Sequence, residues 1–191
     1  MFVIYFLMFW GALINLALPL KHFKSKYFFY FLLIALTDIS GLILILILDQ
    51  QPNNISLLFS LFLPISLFYN FFKENILIIC FLFILLLYPI LILDSQTSLE
   101  LQHPIDIALV FILLWQNSKL YLKENIINLF SIGILLFTSA KFLALIGFII
   151  DIETNTSVII NYIAVFSQII IGIFLLIFSE NSPKVIFRVS K

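Results

Sequence analysis

Seven long apolar stretches, separated by short polar breaks, dominate this sequence of 191 residues. A helix needs about 20 mostly apolar residues to cross the roughly 30 Å hydrocarbon layer of a bilayer. The stretches approach that length and lie near residues 2–20, 28–48, 55–72, 75–93, 105–122, 126–150 and 158–179. Only 10% of the residues are charged, against the roughly 25% that is usual in a soluble domain. The sequence therefore predicts an all-α, polytopic membrane protein with seven transmembrane helices.

The basic residues fall on one side of this predicted bundle. With seven spans, the first, third and fifth loops share a side with the C-terminal tail, and together they hold nine of the ten Lys and Arg residues. These nine are Lys21, Lys24, Lys26, Lys73, Lys119, Lys123, Lys184, Arg188 and Lys191. The alternate loops hold only acidic charges, which are Asp49, Asp94, Glu100, Asp106, Asp151 and Glu153. By the positive-inside rule, we expect the N-terminus outside and the C-terminus in the cytoplasm, with the chain in a bacterial inner membrane.

Several residues predict where the spans begin and bend. Asn75 and Asn125 are plausible N-caps of the fourth and sixth spans, because a short polar side chain can accept a free backbone N–H there. Pro104 suits the first turn of the fifth span, where its missing N–H costs nothing. Pro64 and Pro89 lie inside the third and fourth spans and predict kinks.

A tetrapeptide before the fourth span recurs before the sixth. The residues Lys73–Ile76 and Lys123–Ile126 are identical in sequence and lie fifty positions apart on the same predicted side. A duplicated helical hairpin would produce such an echo, as in some transporters. Similarity fades on both sides of the tetrapeptide, which favours a chance repeat in a sequence rich in Lys, Asn and Ile.

Two charges lie deep in apolar stretches, Asp38 in the second span and Lys141 in the sixth. Each costs about 3 kcal/mol at the bilayer centre on insertion scales unless it is paired or faces water. Their estimated depths predict an ion pair between the two spans. Such a pair is either a switch, broken when one partner is neutralised, or a static clip that fixes helix register. A third interpretation places Lys141 in a polar cavity and Asp38 in its protonated form.

Other polar side chains within the spans form weak stripes. They are the candidate polar lining of the bundle: Asn15, Ser66, Asn70, Ser131, Thr138, Asn161 and Gln168. In lipid, such groups usually join helices through hydrogen bonds worth about 1 kcal/mol or less. We therefore favour a packing role over a ligand site.

A candidate basic face lies on the expected cytoplasmic side. It comprises Lys21, Lys24, Lys26, Lys184, Arg188 and Lys191. Residues 182–191 are expected to form a short basic tail beyond the bundle of residues 1–181. The tail interleaves its basic residues with apolar ones, so it suits either an anionic lipid surface or a protein partner.

No catalytic constellation is visible in the sequence. The two histidines, His22 and His103, fall on opposite predicted sides, so they cannot share a metal ion. The single cysteine, Cys80, excludes an intramolecular disulfide and a cysteine-cluster zinc site. We expect no metal and no cofactor. Equal numbers of basic and acidic residues give no overall charge that would attract nucleic acid.

Three segments carry a resemblance to a known group. They are FFKEN at the end of the third span, NLFSIGILLFTSAKFL in the sixth and the NY…Q run of the seventh. With these, the chain resembles small uncharacterised seven-helix inner-membrane proteins of Bacteroidetes-like bacteria. The resemblance covers mainly the last two-thirds of the chain and implies a membrane bundle without transferable catalytic residues. Some members accompany soluble signalling kinases, which hints at a signalling partner.

Three classes of function stay open. The first is a non-enzymatic sensor or assembly subunit that couples to a cytoplasmic or membrane protein partner through the basic face. The second is a transporter or channel for a small solute, proton or lipid that uses Asp38 and Lys141 at mid-membrane. The third is an intramembrane enzyme acting on lipid, with Asp38 as its acid or base. We favour the first, because the inner rim is basic and no chemistry is visible.

Overall fold

The computed structural model describes residues 2–48, 52–149 and 155–189, and this part of the chain is 84% helical. The prediction of an all-α protein is therefore confirmed. Its helices are α1 (Phe2–Lys21), α2 (Phe28–Leu48), α3 (Asn53–Ser66), α4 (Tyr69–Glu74), α5 (Ile76–Leu91), α6 (Ser95–Glu124), α7 (Leu129–Ile149) and α8 (Asn155–Ile177). A 3₁₀ turn over Pro183–Val185 leads into a strand, β2 (Ile186–Arg188), which pairs antiparallel with β1 (Ile126–Asn128).

Among the described residues, three helices are long and apolar enough to cross a membrane, by length and composition. They comprise Phe28–Ile47 of α2, the 30-residue α6 and Val158–Ile177 of α8. Helices α3 (Asn53–Ser66) and α5 (Ile76–Leu91) are also apolar but shorter, at 14 and 16 residues. A helix of 14 residues, such as α3, rises about 21 Å at 1.5 Å per residue, which is less than the roughly 30 Å hydrocarbon layer.

The surface of α5 shows the environment that these helices need. Leu77, Phe81, Ile84 and Tyr88 expose between 64% and 82% of their accessible surface. Together they form an apolar surface that a soluble monomer does not leave in water. A bilayer accepts this surface, and a helix satisfies its own backbone hydrogen bonds there.

The described part of the chain divides into two compact units. The first unit contains residues 15–106, and the second contains residues 1–14 together with residues 107–191. The boundaries fall inside α1 and α6, so one continuous helix carries the chain from each unit into the other.

In the first unit, α3 packs against α2, α4 and α5. The side chains of Tyr30, Phe31 and Leu58 expose 1% of their surface or less. Aromatic rings close one end of the unit, where Phe29 at the start of α2 stacks on Phe72 of α4 with ring centroids 4.5 Å apart. The start of α2 therefore lies beside α4.

In the second unit, α7 packs along α8. A Cβ atom built on Gly133 of α7 would lie 3.1 Å from the Phe174 ring and 3.2 Å from a Leu175 methyl group. The absent side chain therefore lets α7 approach α8 closely. Gly172 of α8 likewise lets α1 approach closely, because a Cβ on Gly172 would lie 2.6 Å from a methyl carbon of Ile14.

The third predicted span, 55–72, is interrupted. Helix α3 ends at Ser66, and Phe68 leaves the helical conformation with φ −97° and ψ 71° before α4 begins. Pro64 cannot donate a hydrogen bond to the preceding turn, and the Phe68 amide bonds to the Ile65 carbonyl at 3.0 Å, three residues back. The last turn of α3 is thus tightened, and the chain bends into α4.

Helix α6 begins ten residues before the fifth predicted span. Asp94 caps α6, because its Oδ1 accepts the Thr97 amide at 2.8 Å and its Oδ2 accepts the Thr97 hydroxyl at 2.5 Å. The helix therefore starts at Ser95 and includes residues that were expected to form a loop. Pro104 lies in the interior of α6, so its prediction as a first-turn residue is wrong.

One predicted N-cap is wrong, and the other is right only in its position. Asn125 has φ +51°, a left-handed conformation that ends α6, and the residues after it form β1. Asn128 caps α7 instead, since its Oδ1 accepts the Phe130 amide at 3.0 Å. Asn75 does precede α5, but its side-chain amide donates backwards to the Phe71 carbonyl at 2.9 Å and caps no N-terminal N–H. The two copies of the tetrapeptide therefore lead into different structures.

Four charges that support the predicted orientation lie outside the described residues: Asp49, Asp151, Glu153 and Lys191.

Candidate functional site

The first unit places a buried amide against the carboxyl group of Asp38. Asn15 on α1 exposes 3% of its surface, and its Nδ2 donates a hydrogen bond to Oδ2 of Asp38 on α2. The two residues were singled out separately in the sequence, and their pairing was not predicted. Because α1 and α2 are consecutive helices, placing them antiparallel and matching the depths of their polar residues would have suggested it.

The carbonyl oxygen of the same Asn15 amide has a different environment. Oδ1 of Asn15 is buried and accepts no hydrogen bond. A buried acceptor without a donor costs about 1–3 kcal/mol of lost hydration. Neighbouring hydroxyls bond within α2, because Thr37 donates to the Leu33 carbonyl at 2.8 Å and Ser40 to the Leu36 carbonyl at 2.7 Å. The Asn15 oxygen could therefore accept a bond from a donor that enters the unit.

Lys141 lies half-buried on α7 in the second unit, whereas Asp38 belongs to the first. The ion pair between them stays a prediction. On the same helix, Ser131 and Thr138 expose 1% and 4% of their surfaces. The Thr138 hydroxyl donates to the Ile134 carbonyl at 2.8 Å, so this group is satisfied within its own helix.

Asn161 and Gln168 of α8 are both half-buried. Asn161 resembles Asn15, because its Oδ1 is buried and accepts no hydrogen bond. Gln168 lies two helical turns further along the same helix. The second unit thus also contains a buried amide oxygen without a donor.

The remaining two members of the predicted lining lie near the bend between α3 and α4. Ser66 is fully buried and donates to the Leu63 carbonyl at 2.7 Å, so its hydroxyl is satisfied within its own helix. Asn70 is exposed on α4.

A polar network at the opposite end of the first unit was not predicted. Asn54 at the start of α3 donates to the Leu93 carbonyl at 2.8 Å and accepts the Ser98 hydroxyl at 2.8 Å. Its neighbour Asn53 donates to Ser95. The network ties α3 to the turn between α5 and α6. It escaped prediction because residues 94–104 were assigned to a loop.

The N-terminus of α6 also shifts a titratable group. Hydrogen bonds from the Thr97 side chain and backbone amide lower the pKa of Asp94 below its usual value of 3.8. They do so because both bonds favour the charged carboxylate, while partial desolvation opposes them weakly. Asp94 is therefore a structural cap that stays ionised at neutral pH.

The expected basic face is divided between the units. Lys21, Lys24 and Lys26 are exposed between α1 and α2, and the Lys26 ammonium lies 4.9 Å from the centre of the Tyr27 ring. Lys184 and Arg188 are exposed in the second unit. Lys191, the sixth member of this face, lies outside the described residues.

The C-terminal segment is held by a specific set of bonds. Arg188 pairs with Ile126 in the β1–β2 ladder, and the Val189 amide donates to the Asn125 carbonyl at 2.9 Å. Asn128 adds a side-chain link, because its Nδ2 donates to the Glu180 carbonyl at 3.1 Å. Residues 182–189 therefore fold back onto the turn between α6 and α7.

Among the residues that the structure describes, no group of three or more His, Cys, Asp and Glu side chains could hold a metal ion. No protein-family model, curated protein or solved structure matches the chain. The resemblance to small seven-helix inner-membrane proteins therefore stays a prediction.

Proposed function

We propose that the chain is a seven-span protein of a bacterial inner membrane that acts as a non-enzymatic sensor or assembly subunit. The contacts within each unit support the span count by a parity argument. Two residues in contact at one end of a unit lie on the same side of the membrane. The chain between them must then cross the bilayer an even number of times.

In the second unit, Ile126 pairs with Arg188, and α7 and α8 lie between them. Helix α8 is long enough to cross, so α7 must form the second crossing. Helix α7 is 21 residues long and rises about 31 Å at 1.5 Å per residue, which matches the roughly 30 Å hydrocarbon layer.

In the first unit, the Phe29–Phe72 stack places the start of α2 beside α4. Helix α2 is long enough to cross, so the α3–α4 segment supplies the return. The hydrogen bond from Asn54 to the Leu93 carbonyl places the start of α3 beside the end of α5. By the same rule, the α3–α4 segment and α5 form two crossings. With α6 and the 20-residue α1, this reasoning favours seven spans over three.

The orientation follows from charge. Lys24 precedes α2, Lys73 ends α4, Lys123 ends α6 and Arg188 lies on β2, so the basic residues mark the ends that the parity argument assigns to one side. The positive-inside rule makes that side cytoplasmic. The N-terminus is then outside.

The fold-back of the C-terminal segment carries the proposal of a sensor or assembly subunit. Strand β2 is hydrogen-bonded to residues directly before α7, the helix that contains Lys141. A shift of α7 within the membrane therefore moves the exposed Arg188 side chain on the cytoplasmic side. A soluble or membrane partner that binds this surface would sense the shift.

The test removes the basic charge of this segment without removing its strand. In the variant Lys184→Ala/Arg188→Ala, we expect a protein that is crosslinked to the wild type in native membranes to be lost. The control Lys21→Ala/Lys24→Ala removes two exposed lysines from the first unit and should keep the partner. A partner set that is identical in the wild type and in the Lys184/Arg188 variant would contradict the proposal.

The Asn15–Asp38 pair supports a second candidate, a proton pathway. A half-buried carboxylate beside a buried amide oxygen without a donor is a place where a proton or a small donor can bind. In proteoliposomes containing a pH-sensitive dye, Asp38→Asn should abolish proton flux and leave the fold intact. Wild-type protein that carries no proton flux at any imposed gradient would exclude this candidate.

A further inference from the structure

An apolar groove opens where α3 bends into α4. It has a volume of about 360 Å³ and is lined by Pro64, Ile65, Phe68 and Phe71 without a polar atom. This volume lies at the lower end of the range for small-molecule sites, about 300–1,000 Å³. The groove exists because the helix breaks at Phe68, and it is open to the surroundings, since Phe68 and Phe71 expose 47% and 56% of their surfaces.

Basic side chains lie at the same end of the first unit. The rings of Phe29 and Phe72 stack at 4.5 Å, and Phe29 also contacts the ring of Tyr69 at 5.5 Å. These contacts place the loop before α2, with its exposed Lys21 and Lys24, beside the helix that carries the groove.

The helix α4 adds charges of its own at this end. Lys73 is exposed beside Phe72, and the exposed Glu74 follows it. With Lys21, Lys24 and Lys26, four lysines there face one glutamate. The apolar groove therefore lies at the same end of the unit as a region of net positive charge.

We propose that this end of the first unit binds an anionic phospholipid, with an acyl chain in the Pro64–Phe71 groove and the phosphate headgroup against Lys21, Lys24 and Lys73. A groove without polar atoms suits a hydrocarbon chain, and lysines at its end complement a phosphate. One lipid supplies both parts in the order in which they occur at a membrane surface. The inference rests on the proposed membrane location of the chain, and it assigns a ligand class to a surface that the proposed coupling through β2 does not use.

The experiment measures lipid selectivity in bilayers of phosphatidylcholine. Spin-labelled phosphatidylglycerol and spin-labelled phosphatidylcholine are compared for the fraction immobilised by the wild-type protein. We expect a clear preference for phosphatidylglycerol. Each lysine near an anionic surface contributes about fivefold to the association constant, so the variant Lys21→Gln/Lys24→Gln/Lys73→Gln should lose most of this preference.

A matched variant separates a site from a general attraction to positive charge. Lys119→Gln/Lys123→Gln/Lys184→Gln removes three exposed lysines from the second unit, on the same proposed side of the membrane. It should keep the wild-type preference. An equal loss in both triple variants would overturn the proposal, because selectivity would then reflect total charge alone.

The groove is tested separately. Ile65→Trp fills it, and this variant should immobilise long-chain phosphatidylglycerol less than the wild type. In the wild type, dioleoyl phosphatidylglycerol should compete better than the dihexanoyl form, a comparison that needs no variant to fold. Equal competition by the two chain lengths would contradict an acyl-chain site. Failure of the chain to enter bilayers would instead refute the proposed membrane function.

Discussion

Asn128 is the residue whose replacement most directly tests how the C-terminal segment is held. Its Oδ1 accepts the amides of Phe130 and Ser131 at 3.0 and 3.4 Å, and its Nδ2 donates to the Glu180 carbonyl at 3.1 Å. Loss of an N-cap costs about 1 kcal/mol, and loss of one further hydrogen bond also costs about 1 kcal/mol. We expect Asn128→Ala to destabilise the β1–β2 pairing by about 2 kcal/mol.

The assay is amide hydrogen exchange over residues 125–128 and 186–189. A loss of about 2 kcal/mol corresponds to roughly 30-fold faster exchange if these amides exchange through local opening. Asn128→Asp separates the two roles, because a carboxylate still caps α7 but cannot donate to Glu180. It should accelerate exchange by only about fivefold, the effect of about 1 kcal/mol.

The control is Asn117→Ala. The Asn117 amide is half-buried and donates to the Leu113 carbonyl at 2.8 Å within its own helix. Its removal should leave exchange at both strands unchanged. If Asn128→Ala also leaves that exchange unchanged, the side chain does not hold the segment, and the reasoning is refuted.

Three other substitutions have expected outcomes that can be measured by thermal unfolding in detergent or by hydrogen exchange. Gly172→Val should destabilise the second unit by about 1–3 kcal/mol through collision with Ile14, and Ile14→Ala should partly restore stability. The control Gly11→Ala should be neutral, because its Cβ would meet nothing within 4 Å. Asn15→Ala and Asp38→Ala should be coupled by about 1 kcal/mol in a double-mutant cycle, because either substitution removes the same hydrogen bond; additive effects on stability would contradict the Asn15–Asp38 bond. Because the pKa of Asp94 is lowered on folding, its capping contribution is present above pH 3.8 and is lost as the pH falls through the folded pKa. Amides in the first turn of α6 should therefore exchange faster at that low pH. The same acceleration in Asp94→Ala would show that another group titrates.

The sequence predicted the long apolar helices well, because hydrophobic length alone decides them. The second span was placed at residues 28–48, where α2 runs from Phe28 to Leu48. The start of α6 was missed because a polar segment was assigned to a loop, although Asp94 and Thr97 have the spacing of a helix cap. At this boundary, the capping residues indicate the start of the helix better than the low hydropathy of the segment does.

The structure of the tail and the pairing of polar residues were harder to predict from the sequence. The β1–β2 ladder joins residues about 60 positions apart in sequence, and three-residue strands leave no periodicity to recognise. The groove beside Phe68 depends on where a helix breaks after Pro64, and Pro64 alone indicates only a bend. By contrast, Asn15 and Asp38 were recognisable as costly residues, and only their pairing required the structure.

The most direct test of the seven-span account is the location of two loops relative to the membrane. In a Cys80→Ser background, single cysteines replace Ser25 before α2 or Ser182 after α8, and intact cells are treated with a membrane-impermeant maleimide. The account predicts that both positions react only after the cells are permeabilised. If only α2, α6 and α8 cross, Ser25 and Ser182 lie on opposite sides, and labelling of one of them alone in intact cells would contradict the account.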